Sequence, residues 1–293
     1  GFINLINCFI NAEFYCQNKK ISYVTKTMKT ETKKSIDVFA LTDCHQEARK
    51  LCCLFSEIIR RAQPRGQNTL ICDSGDLFKG IYDRELCVQS YLNLRQQLPE
   101  AKIVLAVGNN DFGFNRESLN FLIETVKEFA KKGIRTVCAN IFDDSGKRPK
   151  WLKPYSIVQR DGDKTFVTGF CVDNINTAKF GIVPKKQSEV MEEICDAIKK
   201  EKPDNVVILN HDYLPVSEQL VETCKQQGIN VDVVIGGHDH NFVPPNRELN
   251  IYYPKAYADS MYKMDIVNKA GHKVVSKVEM LENDNYRVNT IFA

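Results

Sequence analysis

Histidine and tryptophan are scarce in this chain of 293 residues, at five copies and one. Other features are missing outright. No run of 18 apolar residues occurs, so no transmembrane helix is expected. Charge is not in excess: 40 Lys and Arg against 37 Asp and Glu leave +3. The two signs are interleaved as on a solvated face, which gives no case for nucleic-acid binding. The apolar stretch Phe2–Phe14 is broken by Asn4, Asn7 and Asn11 and lacks a basic leader, so it is a poor signal peptide. The chain begins at Gly1 and its first methionine is Met28. Residues 1–34 therefore read as an extension, with the natural start expected at Met28. The eleven cysteines are odd in number, scattered, and include no Cys-x-x-Cys pair; there is also no Asn-x-Ser/Thr sequon. Cys72, Cys138 and Cys171 fall in apolar strand-like runs, where a thiol behaves as a small hydrophobe. A reducing, cytoplasmic setting is the better reading than a disulfide framework.

What is present is an alternation of two periods. Ile36–Leu41, Thr69–Cys72, Lys102–Val107, Ile134–Ala139, Val206–Leu209 and Val231–Ile235 are short apolar runs of strand length. Between them, Gln46–Gln63, Arg84–Gln97, Glu117–Lys131, Gln187–Lys200 and Val216–Gln227 carry helical spacing and end at Gly or Pro. Asp161-Gly162-Asp163 signals a hairpin between Tyr155–Gln159 and Thr165–Cys171. From Ile251 to Met280 the period is two, as in antiparallel strands. Strands alternating with helices, then a β-rich end, imply a layered α/β domain over residues 35–285, with 286–293 as a tail.

Four of the five histidines sit in short signatures just after strand ends: Asp43-Cys44-His45, Asn210-His211-Asp212 and Gly236-Gly237-His238-Asp239-His240. Asp73-Ser74-Gly75-Asp76 and Gly108-Asn109-Asn110-Asp111 occupy the same kind of position. Strand ends are where α/β sheets place ligand sites. Two close divalent cations need imidazoles and carboxylates with one bridging oxygen. Asp43 and His45, two apart on a strand end, are expected to point the same way and clasp one ion. His238 and His240 share that spacing and can give one imidazole to each ion. Asp76 is the natural bridge, Asn109 supplies a carbonyl oxygen and an amide donor near the phosphate, and His211 completes the second ion's shell. Each residue alone has a plainer reading. Asp43 would serve as a helix cap, Asn110 and Asp111 as turn formers, Asp212 as a loop carboxylate and Cys44 as core packing. Asn140 could equally cap a strand exit, and Tyr252-Tyr253 could pack a strand. Gly75 and Gly80 do not form a dinucleotide loop. His272 stands alone.

At these residues the chain resembles the calcineurin-like metallophosphoesterases, and within them the catalytic domain of the 5′-nucleotidase family. Asp73-Ser74-Gly75-Asp76-Leu77-Phe78-Lys79-Gly80 resembles that family's D-x-G-D-x-x-x-G segment. Ala139-Asn140 resembles its A-N pair, and Ile235-Gly236-Gly237-His238-Asp239-His240 its I-G-G-H-x-H. The resemblance implies a four-layer α/β/β/α sandwich and two divalent ions (Mn, Fe, Zn or Co). One would be held by Asp43, His45, Asp76 and His240, the other by Asp76, Asn109, His211 and His238. It implies hydrolysis of small phosphate esters by a hydroxide that both ions activate.

The chain departs from the family twice. Where the family reads G-N-H-E-F-D, this chain reads Gly108, Asn109, Asn110, Asp111, Phe112, Gly113. The His–Asp dyad that assists the leaving group is replaced by Asn110 and Gly113. Asn110 can donate a hydrogen bond to a phosphate oxygen but cannot give a proton at neutral pH. A positioned acid is worth ~10²–10⁴ in rate, so good leaving groups are expected to suffer least. Two-domain members also carry a following domain that stacks the nucleobase, which a chain ending at Ala293 is expected to lack. The alternative to a hydrolase is a scaffold that keeps the fold and its metals.

Overall fold

The computed structural model describes residues 35–292 apart from 80–82, 161, 176, 242, 270–271 and 284–287. The expected N-terminal extension with Met28, the glycine at position 80, residue 161 of the hairpin turn and the side chain of His272 lie outside the described residues.

Two sheets stack face to face with helices on both outer faces. The first sheet contains β1 (Ser35–Leu41), β2 (Thr69–Asp73), β3 (Lys102–Ala106), β4 (Ile134–Val137), β12 (Ser260–Lys269), β13 (His272–Glu282) and β14 (Val288–Phe292), in the order β14-β13-β12-β1-β2-β3-β4. The second contains β6 (Tyr155–Arg160), β7 (Asp163–Cys171), β9 (Asn205–His211), β10 (Val233–Gly236) and β11 (Ile251–Tyr252), in the order β11-β10-β9-β7-β6. A third pair, β5 (Ile141–Asp143) with β8 (Ile182–Pro184), is antiparallel.

Alternation within a strand explains how one sheet serves two cores. On β1, Phe39 and Leu41 face the helices α1 (Ala48–Ala62), α2 (Arg84–Gln97) and α3 (Arg116–Lys131), where Leu51, Phe55, Tyr91 and Phe129 are buried with them. Ile36, Val38 and Ala40 face the other way and meet Val207, Leu209, Val233 and Ile235 of the second sheet. Beyond that sheet, Phe166 and Ile208 pack on Ile194 and Leu220 of α4 (Met191–Glu201) and α5 (Leu214–Gln226). A strand buried on both faces needs a continuous apolar run, and these strands have one. Burying each such side chain stabilises the fold by roughly 1.5–3 kcal/mol. The four layers are those of an α/β/β/α sandwich, as expected.

Several boundaries moved for identifiable reasons. The first helix starts at Ala48 rather than Gln46, because Gln46 has φ 69° and cannot enter a right-handed helix. The expected helix from Gln187 begins as a short 3₁₀ turn, Gln187–Glu189, and becomes α-helical at Met191. β11 pairs parallel with β10, not antiparallel, and only β12–β14 form the expected antiparallel ribbon. Residues 288–292, set apart above as tail, form the edge strand β14. Tyr252 and Tyr253 are buried, and the Tyr253 hydroxyl donates to the Asp212 carbonyl at 2.7 Å, so both are packing residues. Cys44 is likewise in the core.

Candidate metal centre

The parallel strands β1, β2 and β3 of one sheet and β9 and β10 of the other end at the same edge, and each runs into a loop that carries a candidate ligand. Two of these loops extend the β1–β2 ladder without being strands. Asp43 N donates to Gly75 O at 2.8 Å, His45 N to Asp76 O at 3.0 Å and Gln46 N to Leu77 O at 3.1 Å. Strand alternation does not align Asp43 with His45, contrary to expectation. Both have left-handed backbone, at φ 47° and 48°, as do Asp76 at 57° and His238 at 74°. Asp, Asn and His tolerate this region better than other residues with a Cβ, though at a cost of ~1–3 kcal/mol where the surroundings enforce it. The candidate ligands come from irregular loops, and the left-handed backbone at Asp43, His45, Asp76 and His238 is what aims them at one region.

Asp43, His45, Asp76 and His240 place ligand atoms within 4.8 Å of one another, as one cation would require. His45 Nε2 lies 2.8 Å from His240 Nε2 and 3.4 Å from Asp43 Oδ1. His240 Nε2 lies 3.2 Å from the same carboxylate oxygen. Alongside, His211 Nε2 is 3.2 Å from both Asp76 Oδ2 and Asn109 Oδ1, and His238 Nδ1 is 2.9 Å from Asn109 Oδ1. All seven expected ligands thus converge, with Asp76 between the two groups. Close packing is enforced by glycine: a Cβ on Gly108 would overlap the Asp76 carboxylate, and one on Gly237 would overlap Thr42 Oγ1.

Charge is arranged to match. Burial opposes ionisation of Asp43, but His211 nearby, the facing imidazoles of His240 and His45, and the Thr42 hydroxyl hold its carboxyl well below the usual range. Burial also opposes charge on His211, yet Asp76 and Asp43 push its pKa up to about 10. His238 moves the other way, lowered by burial and then by His211. Behind the ligands, burial and then the neighbouring Asp76 raise Asp111 to about 8. Its carboxyl oxygens accept from Asp76 N, Phe78 N and Gly108 N at 3.0, 2.9 and 2.8 Å. Asp111 is therefore a brace that joins the second and third loops. Asp73, raised by burial to about 6, accepts from Gly75 N and from the Tyr91 hydroxyl.

Asn110 takes a different position from the one expected. Its backbone N and its Nδ2 donate to Asp76 Oδ1 and Oδ2, at 2.8 and 2.5 Å. It clamps a carboxylate rather than standing free for a phosphate. Asn140 is a strand-exit cap: it donates to Cys171 O and Lys185 O and accepts from Cys171 N. Asp212 accepts from Tyr213 N and Gln187 Nε2, away from the cluster.

Tyr257 was not foreseen. Its backbone N donates to Asp43 O at 2.6 Å, and its hydroxyl lies 3.3 Å from His240 Nδ1 and accepts from Lys79 Nζ at 3.4 Å. Its ring sits 5.1 Å from that of His45 and 5.2 Å from that of His240. It holds φ 60°, an uncommon state for a bulky residue. No local pattern marks it, since it follows His240 by 17 positions in an irregular turn. Only the chain's return to β12 brings it back.

Stacked sheets with a carboxylate–imidazole cluster on converging strand ends define a metallophosphoesterase architecture. The model of the family described as calcineurin-like phosphoesterase matches residues 36–242, and the chain belongs to this family. Among curated proteins it is similar to an apyrase of Tabanus yao, with 28% identity over 233 residues covering 74% of this chain and 38% of that protein. A 5′-nucleotidase-related protein of Glossina morsitans morsitans is 25% identical over 207 residues, covering 66% and 35%. The chain thus spans little more than a third of the length of these relatives. Among solved structures, a 5′-nucleotidase precursor from Thermus thermophilus superposes with TM-score 0.63 at 17% identity, covering 85% of this chain and 54% of that one. The calcineurin-like phosphoesterase YfkN from Bacillus subtilis gives 0.63 at 18%, covering 86% and 91%. Among the described residues no helix is long and apolar enough to cross a membrane.

Proposed function

We propose that this chain is a metal-dependent hydrolase of small phosphate esters. The observation that carries the reading is at Asp43. Its Oδ1 is buried and makes no well-formed hydrogen bond within the protein, while two imidazole nitrogens face it at 3.2 and 3.4 Å and each other at 2.8 Å. A buried acceptor without a donor costs about 1–3 kcal/mol, and a cation among these atoms removes that cost. The donor set of imidazole, carboxylate and amide oxygen suits Mn, Fe, Zn or Co. Asp43, His45, Asp76 and His240 would hold one ion and Asp76, Asn109, His211 and His238 a second. Bound there, two such ions supply charge stabilisation at the phosphoryl group and lower the pKa of water.

The chain's own residues do the positioning. Asn110 fixes both oxygens of Asp76, the shared carboxylate, and Asp111 fixes the loops on either side. No side chain at position 110 or 113 can pass a proton to a departing alkoxide, so the site favours leaving groups that need none. With Mn²⁺ added, slow turnover of p-nitrophenyl phosphate and its bis-ester is expected, faster than that of alkyl phosphates. Two bound ions by elemental analysis without turnover of any ester would support the scaffold reading instead. A cytoplasmic setting is supported by the nine described cysteines, all of which are free.

Protonation of the site leads to two expected outcomes. His211, with its pKa raised from 6.5 to about 10, is an imidazolium at neutral pH in the metal-free protein. A folded-state pKa above the unfolded one stabilises the metal-free fold fully below about pH 6.5, and that contribution is lost as pH rises through about 10. Ligation needs the neutral ring, so loading should release about one proton from it. Calorimetric titration of Mn²⁺ in buffers of different ionisation enthalpy measures that release, and it should fall by about one proton in His211→Asn. For His240, Nε2 can ligate only if Nδ1 carries the proton, and the Tyr257 hydroxyl is its acceptor. Tyr257→Phe keeps the ring contacts and should weaken Mn²⁺ binding by ~10–100-fold, read by titration.

A further inference from the structure

Phe114 and Tyr213 are the two large apolar side chains that stand well exposed among the described residues, at 77% and 48%. Tyr213 follows His211 by two positions, and its backbone is fixed despite the exposure of its side chain. Its N donates to Asp212 Oδ1 at 2.8 Å, and its carbonyl accepts from Val216 N and Ser217 N at 3.0 and 3.3 Å in the first turn of α5. Its ring meets that of His238 edge-on, with centroids 4.8 Å apart and planes at 75°. One end of the ring therefore borders the ligand cluster.

The same residue lines a cavity of about 320 Å³ between the turn that enters α4 and the start of α5. Met191 and Leu220 give it an apolar floor, while Lys186, Gln187 and Asp212 give it a polar wall. The Gln187–Asp212 hydrogen bond, at 3.0 Å, ties that wall to the loop carrying His211. Ligand pockets combine these features: a volume of roughly 300 Å³ or more, apolar lining and a few fixed polar groups. An exposed aromatic ring on an anchored backbone gains burial when something planar covers it.

We propose that Tyr213 and the cavity behind it form a subsite for the organic half of the phosphate ester, selecting a planar aromatic group, either nucleobase or aryl. The inference rests on the phosphoesterase reading for the position of the phosphate. It places the phosphoryl end beside His238 and the aromatic group on Tyr213, with the cavity taking the remainder.

The test compares p-nitrophenyl phosphate, adenosine 5′-monophosphate and glycerol phosphate on the Mn²⁺-loaded wild type, Tyr213→Ala, Tyr213→Phe and the cavity-filling Val216→Phe. A stacked base is lost on alanine substitution at a cost of about tenfold or more. KM for the aromatic esters should rise about tenfold in Tyr213→Ala, with glycerol phosphate unchanged and Tyr213→Phe close to wild type. A rise for adenosine monophosphate and not for the nitrophenyl ester identifies the nucleobase, and the reverse identifies the aryl group. Val216→Phe should raise KM for the bulkier nucleotide. Equal changes across all three esters, or none, overturn the subsite while leaving the hydrolase in place. A second arm needs no catalysis: NMR titration of metal-free protein with adenosine and with p-nitrophenol. Saturable binding lost in Tyr213→Ala supports the subsite even if no ester is turned over, which would sink the hydrolase reading alone. Absence of binding by both compounds, or binding unchanged in Tyr213→Ala, overturns it.

Discussion

Asp76→Asn should lower kcat/KM for p-nitrophenyl phosphate by about 10³-fold or more. The size of the effect follows from the site's geometry. Asp76 is fully buried, lies 3.2 Å from His211 Nε2 and 3.9 Å from His45 Nε2, and stands between the two ligand groups. Bound cations are worth several kcal/mol of charge stabilisation, and each ~1.4 kcal/mol is a factor of ten. Asparagine keeps the shape but removes the charge, and it offers an amide where Asn110 already presents one. Whichever way the new amide turns, its NH2 faces one of the two Asn110 donors, the backbone N at 2.8 Å or Nδ2 at 2.5 Å. Both ions should bind weakly, so elemental analysis should show loss of both rather than one. A variant that keeps full metal content and turnover would remove Asp76 from the centre of the mechanism.

The second large effect concerns the missing dyad. Restoring the family's residues as a pair, Asn110→His with Gly113→Asp, is the obvious gain-of-function experiment, and the structure argues that its second half destabilises the fold. Gly113 has φ 65° and ψ −170°, a combination reserved almost entirely for glycine. A Cβ there would also overlap Ser118 at the start of α3, whose N is capped by Asn115 Oδ1 at 2.8 Å. Strain of ~1–3 kcal/mol adds to overpacking of similar size. Gly113→Asp should therefore lower Tm by about 10 °C, read by thermal denaturation, whatever stands at 110. Asn110→His alone should raise turnover of alkyl phosphates about tenfold, short of the ~10²–10⁴ that an oriented acid provides. It also gives up the clamp on Asp76, so part of that gain is lost. An unchanged Tm in Gly113→Asp would show that the loop can be rebuilt.

The sequence already carried the layered α/β architecture, because apolar runs such as Val104–Ala106 and Val206–Leu209 are buried on both faces and could be little else. It also carried the seven residues that meet at the cluster. The reason given for Asp43 and His45 was not the one the structure uses: left-handed backbone, not strand alternation, aligns them, and no period reports a positive φ at a non-glycine residue. The parallel pairing of β11 was invisible because two residues have no pattern, and β5 and β8 are three residues each. Tyr257 and Tyr213 act through tertiary contacts with His240 and His238, and nothing in their immediate neighbours distinguishes them from other loop tyrosines. The contact between Asn110 and Asp76 was hidden for a related reason. The two residues are 34 positions apart and meet only through the register of β2 on β3.

The lacing of the Asp43–Gln46 loop onto the Gly75–Leu77 loop has a thermodynamic consequence. On the proposed function, one carboxylate, Asp76, would be common to both ion positions, and the two loops are laced as an extension of a single ladder. Occupancy of either position pre-orders the other, so the ions should load cooperatively. The binding isotherm would then be steeper than that of two independent sites, with little singly loaded protein at any concentration.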